Sequence, residues 1–129
     1  MSDVSAVRDL LDRLVAAWND GDAAAYADLF VEDADYITLF GHNMAGRAAI
    51  EEGHRPLFEG PLKGSRLVAP ADPKIRFLTP DVAVVVATGI SPGGDRETMI
   101  TLTAVRRETG WRFGSFQNTP RVPVPGAAA

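Results

Sequence analysis

The chain has no cysteine and only two histidines, His42 and His54, among its 129 residues. Without thiols there is no disulfide framework, no thiolate metal site and no cysteine nucleophile. The two imidazoles stand at neither HxH nor HxxxH spacing, so a zinc site would need carboxylates to complete it. Neither a metal nor a cofactor is expected. A Gly-rich phosphate loop, a dinucleotide fingerprint, a GxSxG elbow and internal repeats are all missing, which removes nucleotide-binding, hydride-transfer and α/β-hydrolase readings. Basic residues are scattered, and 13 Lys and Arg against 17 Asp and Glu give a net charge of −4. Nucleic acid, which selects clustered Lys and Arg, is not an expected partner. Nor is a membrane, because Met1 to Leu14 mixes Asp and Arg with apolar residues at helical spacing, unlike a signal peptide or a span. A cytoplasmic location is the expectation.

What is present suits one domain, residues 1–119, followed by a loose Pro/Ala-rich tail, 120–129. Val4, Val7, Leu11, Leu14, Val15 and Trp18 recur at helical spacing and mark an amphipathic first helix. Asn19-Asp20-Gly21-Asp22 stops it and caps a second helix, Ala23 to Phe30, with Tyr26, Leu29 and Phe30 on one side. A strand is expected over Asp35 to Phe40. Gly46 opens a third helix that carries Ile50, His54, Leu57 and Phe58 on one stripe, with Pro56 predicting a kink or an end close behind His54. The period then turns extended: Ser65 to Leu78 (broken near Pro70 and Pro73), Val82 to Ile90, Arg96 to Arg107 and Trp111 to Asn118, joined by turns at Thr79-Pro80-Asp81, Ser91 to Asp95 and Glu108-Thr109-Gly110. These strands predict an antiparallel meander. Val82 to Ala87 is apolar on both parities, which predicts a covered second face and a homodimer.

The pieces AAWNDGDAAAYADLF, DADYI, GRAAIEEGH, FLTPDVAVV and WRFGSFQNT, in this order, resemble the nuclear transport factor 2-like (ketosteroid isomerase-like, SnoaL-like) superfamily, and within it the SgcJ/EcaC type. The resemblance covers roughly residues 5–119. It implies a cone-shaped α+β fold, in which a strongly curved, mostly antiparallel sheet wraps three helices and leaves an apolar cavity. It also implies an apolar, polyketide-like small molecule that is bound or transformed, in natural-product biosynthesis for the SgcJ/EcaC type. The alternative is a binding or assembly module without catalysis that dimerises through its sheet. Ketosteroid isomerisation uses a strand carboxylate as base, with a tyrosine and a protonated aspartic acid as oxyanion hole. Those positions fall here on Thr38, on Leu14, and on Leu102 or Thr103, none of which can supply the chemistry.

The candidate chemistry lies elsewhere. His54 is an imidazole on an apolar helix stripe, either a catalytic acid or base or a core histidine tied to a backbone carbonyl. His42 lies in a loop and reads as solvated. Asp35 is either a carboxylate with a raised pKa or the polar end of its strand. Tyr36 and Thr38 share one parity of the first strand, Asp35 and Ile37 the other, and the sequence leaves open which faces inward. The same holds for Gln117 and Asn118 on the last strand. The expected pocket is lined by Trp18, Phe30, Tyr36 or Thr38, His54, Phe58 and one of Gln117 and Asn118.

Overall fold

A computed structural model describes residues 3–90, 94 and 96–126. Helix α1 (Asp3–Asn19) buries Val7, Leu11, Leu14 and Trp18 of the expected stripe together with Leu10 and Ala17, whereas Val4 is exposed and Val15 half-buried. At the corner Gly21 takes a φ of 65°, and Asp22 Oδ1 accepts from Ala25 N at 3.0 Å to cap α2 (Ala23–Asp28). Helix α2 ends two residues before the expected Phe30, and strand β1 (Phe30–Ile37) begins there instead of at Asp35. The reason is pairing at a distance: Phe30 already sits opposite Phe113, and the exposed acids Glu32 and Asp33 lie within a register irregularity that hides the strand period.

A short strand that the sequence does not signal, β2 (Asn43–Ala45), pairs antiparallel with β1, Asp35 opposite Ala45 and Ile37 opposite Asn43. Three residues are too few for a period to show. Gly46, at φ 97°, then turns the chain into α3 (Arg47–Glu59). A Cβ there would approach Glu32 O to 3.3 Å, and Gly46 N donates to Ala34 O, so backbone contact fixes where this helix starts. Ile50, His54 and Phe58 are its buried residues, and Pro56 is carried inside its last turn.

The four remaining strands are β3 (Lys74–Thr79), β4 (Val82–Ile90), β5 (Glu97–Arg107) and β6 (Gly110–Pro120). The extended run expected from Ser65 is not a strand before Lys74. Residues 65–73 form an irregular connection held to the first corner: Asn19 Nδ2 donates to Leu67 O and Leu67 N to Asn19 Oδ1, while Trp18 Nε1 donates to Ser65 Oγ at 3.1 Å. The turn expected over Ser91 to Asp95 lies, apart from Gly94, outside the described residues. The sheet order is β2-β1-β6-β5-β4-β3, antiparallel except for the parallel β1/β6 pair. The meander is therefore as expected, and β1 closes it at the β6 edge. Pairing runs past Asn118, since Arg121 N donates to Glu97 O at 2.9 Å.

One irregularity decides the site. The β5/β6 register jumps between Thr103 and Ala104, so Gly114 has no partner and the inward parity of β6 changes from Trp111 and Phe113 to Phe116 and Asn118. The α+β architecture is the one expected: the helices lie on the inner face of the curved sheet, around a core that includes Val7, Leu10, Phe30, Val85, Ala104 and Phe113.

Candidate functional site

A cavity of about 600 Å³ lies between α1, α3 and the inner faces of β1, β6, β5 and β4. Exposed Phe40, His42, Val68 and Arg96 mark its mouth, and buried Leu14, Trp18, Tyr26, Tyr36, His54, Leu102 and Phe116 its closed end. Its size and mostly apolar wall are those of a small-molecule site. Among the described residues no carboxylate lines it.

The polar groups of the closed end form a chain. His54 Nδ1 is 2.7 Å from Ile50 O, and His54 Nε2 is 3.2 Å from the Tyr36 hydroxyl, which is 2.7 Å from the Tyr26 hydroxyl. A carbonyl only accepts, so Nδ1 carries the ring proton, and Nε2 of the neutral ring must accept. Tyr36 therefore donates to His54 and Tyr26 donates to Tyr36, which assigns a single direction to the chain. Burial lowers the His54 pKa, opposed by its bond to Ile50 O. Burial likewise pushes both tyrosines well above their ordinary value, for Tyr26 with the adjacent Tyr36 adding to the effect. All three groups are thus neutral near neutral pH. Rings pack round the imidazole, with Trp18, Tyr26, Tyr36 and Phe58 centroids at 5.8, 4.7, 5.0 and 5.7 Å.

Trp18, Tyr36, Thr38, His54 and Asn118 line the cavity. Phe30 and Phe58, expected there, do not. Phe30 is wholly enclosed between Tyr26, Tyr36 and Phe113, and Phe58 sits behind Trp18 at 5.0 Å, so both back the wall from the core side. Gln117 is exposed on the outer face, because the β6 bulge turns Asn118 inward instead. Asp35 is the polar end of its strand: it is exposed and accepts from Asn43 Nδ2 at 2.9 Å. Leu14 and Leu102 also line the cavity, whereas Thr103 meets Ser115 away from it.

Tyr26, Phe116, Thr98 and Arg96 line the cavity without having been singled out. Tyr26 had a signal, its place on the inner side of α2. Phe116 and Thr98 had none, since the bulge and the β5 register are tertiary facts. A larger open groove, about 960 Å³, lies on another side between Arg47, Arg107, Arg112 and Asp28, Glu32, Asp33. It carries charges of both signs and holds none of the expected site residues. Among the described residues no helix is long and apolar enough to cross a membrane, and no three His, Asp or Glu side chains are grouped to hold a metal ion.

The chain is similar to a Nostoc punctiforme protein of unknown function with a cystatin-like fold, at 27% identity over 95% of this chain and 80% of that one, TM-score 0.79. It is also similar to a nuclear transport factor 2-like protein with a cystatin-like fold from Novosphingobium aromaticivorans, at 25% identity over 98% and 84% of the two chains, TM-score 0.76. A Streptomyces avermitilis protein described as a candidate dehydratase of the same family aligns at 15% identity over 94% and 98%, TM-score 0.80, a likeness that shows the fold alone. Comparison with curated proteins gives no match. The model of the SnoaL-like domain matches residues 7–118, so the chain belongs to the SnoaL-like family of the nuclear transport factor 2-like superfamily.

Proposed function

We propose that the protein binds, and in a biosynthetic setting presents or transforms, an apolar polyketide-like small molecule in this cavity, as a relative of the SgcJ/EcaC type acting as one domain, residues 1–119, in the cytoplasm. The observation that carries the reading is the cavity of about 600 Å³ with an aromatic closed end and no carboxylate on its wall among the described residues. Burial of an apolar ligand supplies affinity there, and a few polar points orient it. The chain from Tyr26 to His54 is a poor base. Moving the Tyr36 proton onto His54 would create a tyrosinate and an imidazolium in apolar surroundings, which the directions of both pKa shifts oppose. His54 is therefore a positioning residue that orients Tyr36. Saturable one-to-one binding of 2-naphthol, read by its fluorescence, is expected for the wild type and not for Ala87→Trp, which fills the cavity from the β4 wall. Equal binding by the two would count against this site.

Leu14 and Thr38, the positions at which the resemblance puts an isomerase's phenol and base, both line the cavity. Losing both forfeits several kcal/mol of barrier lowering. A β,γ-unsaturated ketosteroid should show no turnover above background, and turnover abolished by Thr38→Ala would overturn the overlay.

The second reading, an assembly module, is supported by β4. Ala83, Val85 and Ala87 are buried inward, yet Val82, Val84 and Val86 also form an apolar outward row, beside Val105, Thr103 and Thr101 of β5. A second copy laid on this face would cover it. Light scattering at micromolar concentration should give the dimer mass, and a monomer mass would remove the reading.

A further inference from the structure

Asn118 leaves a hydrogen-bond acceptor unused in the cavity wall. Its Oδ1 is buried and has no partner among the described residues. The β6 bulge turns the side chain inward, opposite Ile100 of β5, in a wall that also holds Phe116, Ala87, Leu102 and Thr98. A buried carbonyl oxygen without a donor is costly, so something must meet it. Thr98 and Arg96, the other polar side chains on this part of the wall, do not bond to it. The Tyr26 and Tyr36 hydroxyl protons and the His54 ring proton are used within their own chain, and Thr38, whose Oγ1 accepts from the backbone N–H groups of Phe40 and His42 at 3.4 and 3.3 Å, makes no bond to it either. Two residues before Asn118, Phe116 lies stacked on Tyr36, with centroids 4.2 Å apart and planes 5° apart, which gives the wall beside the amide a flat aromatic surface.

We propose that Asn118 is a specificity-determining residue that accepts a hydrogen bond from a hydroxyl on a flat apolar ring ligand lying along Phe116. The proposal rests on the pocket reading above and adds the polar requirement to it. A ligand that packs against Asn118 without donating to it leaves this buried acceptor unpaired and gains nothing from it. A hydroxylated ring supplies the bond, whereas the corresponding ether does not. Sites built around a substrate hydroxyl discriminate strongly against analogues that lack it.

The test compares 2-naphthol with 2-methoxynaphthalene by fluorescence titration. The wild type should bind 2-naphthol at least ~10-fold more tightly. Asn118→Leu, close in size and without the acceptor, should bring the two affinities within about twofold while retaining the folded circular-dichroism spectrum. If that variant does not fold, Asn118→Ala gives the same ratio without a branched side chain. Equal affinities in the wild type, or a preference that survives in both variants, would overturn the proposal and leave the pocket reading standing. Tighter binding of 2-acetylnaphthalene than of 2-naphthol would also overturn it, because the amide would then be presenting its N–H to a ligand carbonyl. If neither naphthol nor ether binds, the pocket reading fails and the role of Asn118 falls with it.

Discussion

Tyr36→Phe should destabilise the protein by about 2–4 kcal/mol and Tyr26→Phe by only about 1 kcal/mol, although the two hydroxyls bond to each other. The asymmetry follows from the place of each hydroxyl in the chain. The Tyr36 hydroxyl is the middle link, accepting from Tyr26 and donating to His54 Nε2. Its removal leaves two buried groups unsatisfied at once, a donor on Tyr26 and an acceptor on His54. Removing the Tyr26 hydroxyl deletes a terminal donor and leaves the Tyr36 to His54 bond intact. Both changes keep the ring and open no cavity larger than one oxygen atom, so packing contributes equally to each. Urea unfolding of the two variants measures the difference directly. Equal costs would mean that the Tyr36 hydroxyl does not hold both bonds at once and is not the middle link of a chain.

That chain shows where the sequence stops being informative. Helical periodicity places Trp18 and His54 on inward stripes, because each stripe is written within a single element. The hydroxyl contacts join residues 10 and 18 positions apart, on three elements whose approach no local pattern encodes. The choice between Gln117 and Asn118 was undecidable for a related reason: strict alternation gives opposite faces, but only the register against β5 reveals that Gly114 is passed over. Phe30 and Phe58, expected on the cavity wall, are buried behind it. Whether a buried ring meets a cavity or its backing layer depends on what lies behind it, and hydrophobicity is silent on that. The Ser65 to Pro73 segment misled in the opposite sense. Its apolar residues read as strand, yet its backbone is tied to Asn19, 48 positions away, by bonds that a ladder would have claimed.

The wild type should also lose stability on acidification below about pH 6.5, and part of that loss should be absent from His54→Leu. Burial lowers the His54 pKa below its ordinary 6.5 in the folded chain. Above 6.5 both states hold a neutral ring, and the group adds no pH dependence. Below it the unfolded chain takes up a proton that the folded chain refuses. The unfolded state then binds more protons, stability rises with pH across the window between the two values, and the contribution is lost as pH falls towards the lower one. The leucine variant cannot titrate there, so its unfolding free energy should change less than that of the wild type between about pH 7.5 and pH 5.5. At the upper pH it should already be less stable by about 1–3 kcal/mol, because Tyr36 loses its acceptor and the packing is altered. Binding of 2-methoxynaphthalene separates the roles. Both imidazole nitrogens are engaged within the protein, with Ile50 O and the Tyr36 hydroxyl, so the ring has no free atom for a ligand and affinity should change by no more than about threefold. A tenfold loss of affinity at unchanged stability would instead give His54 to the ligand, and an unchanged pH slope would show that the buried ring is not what the folded state holds neutral.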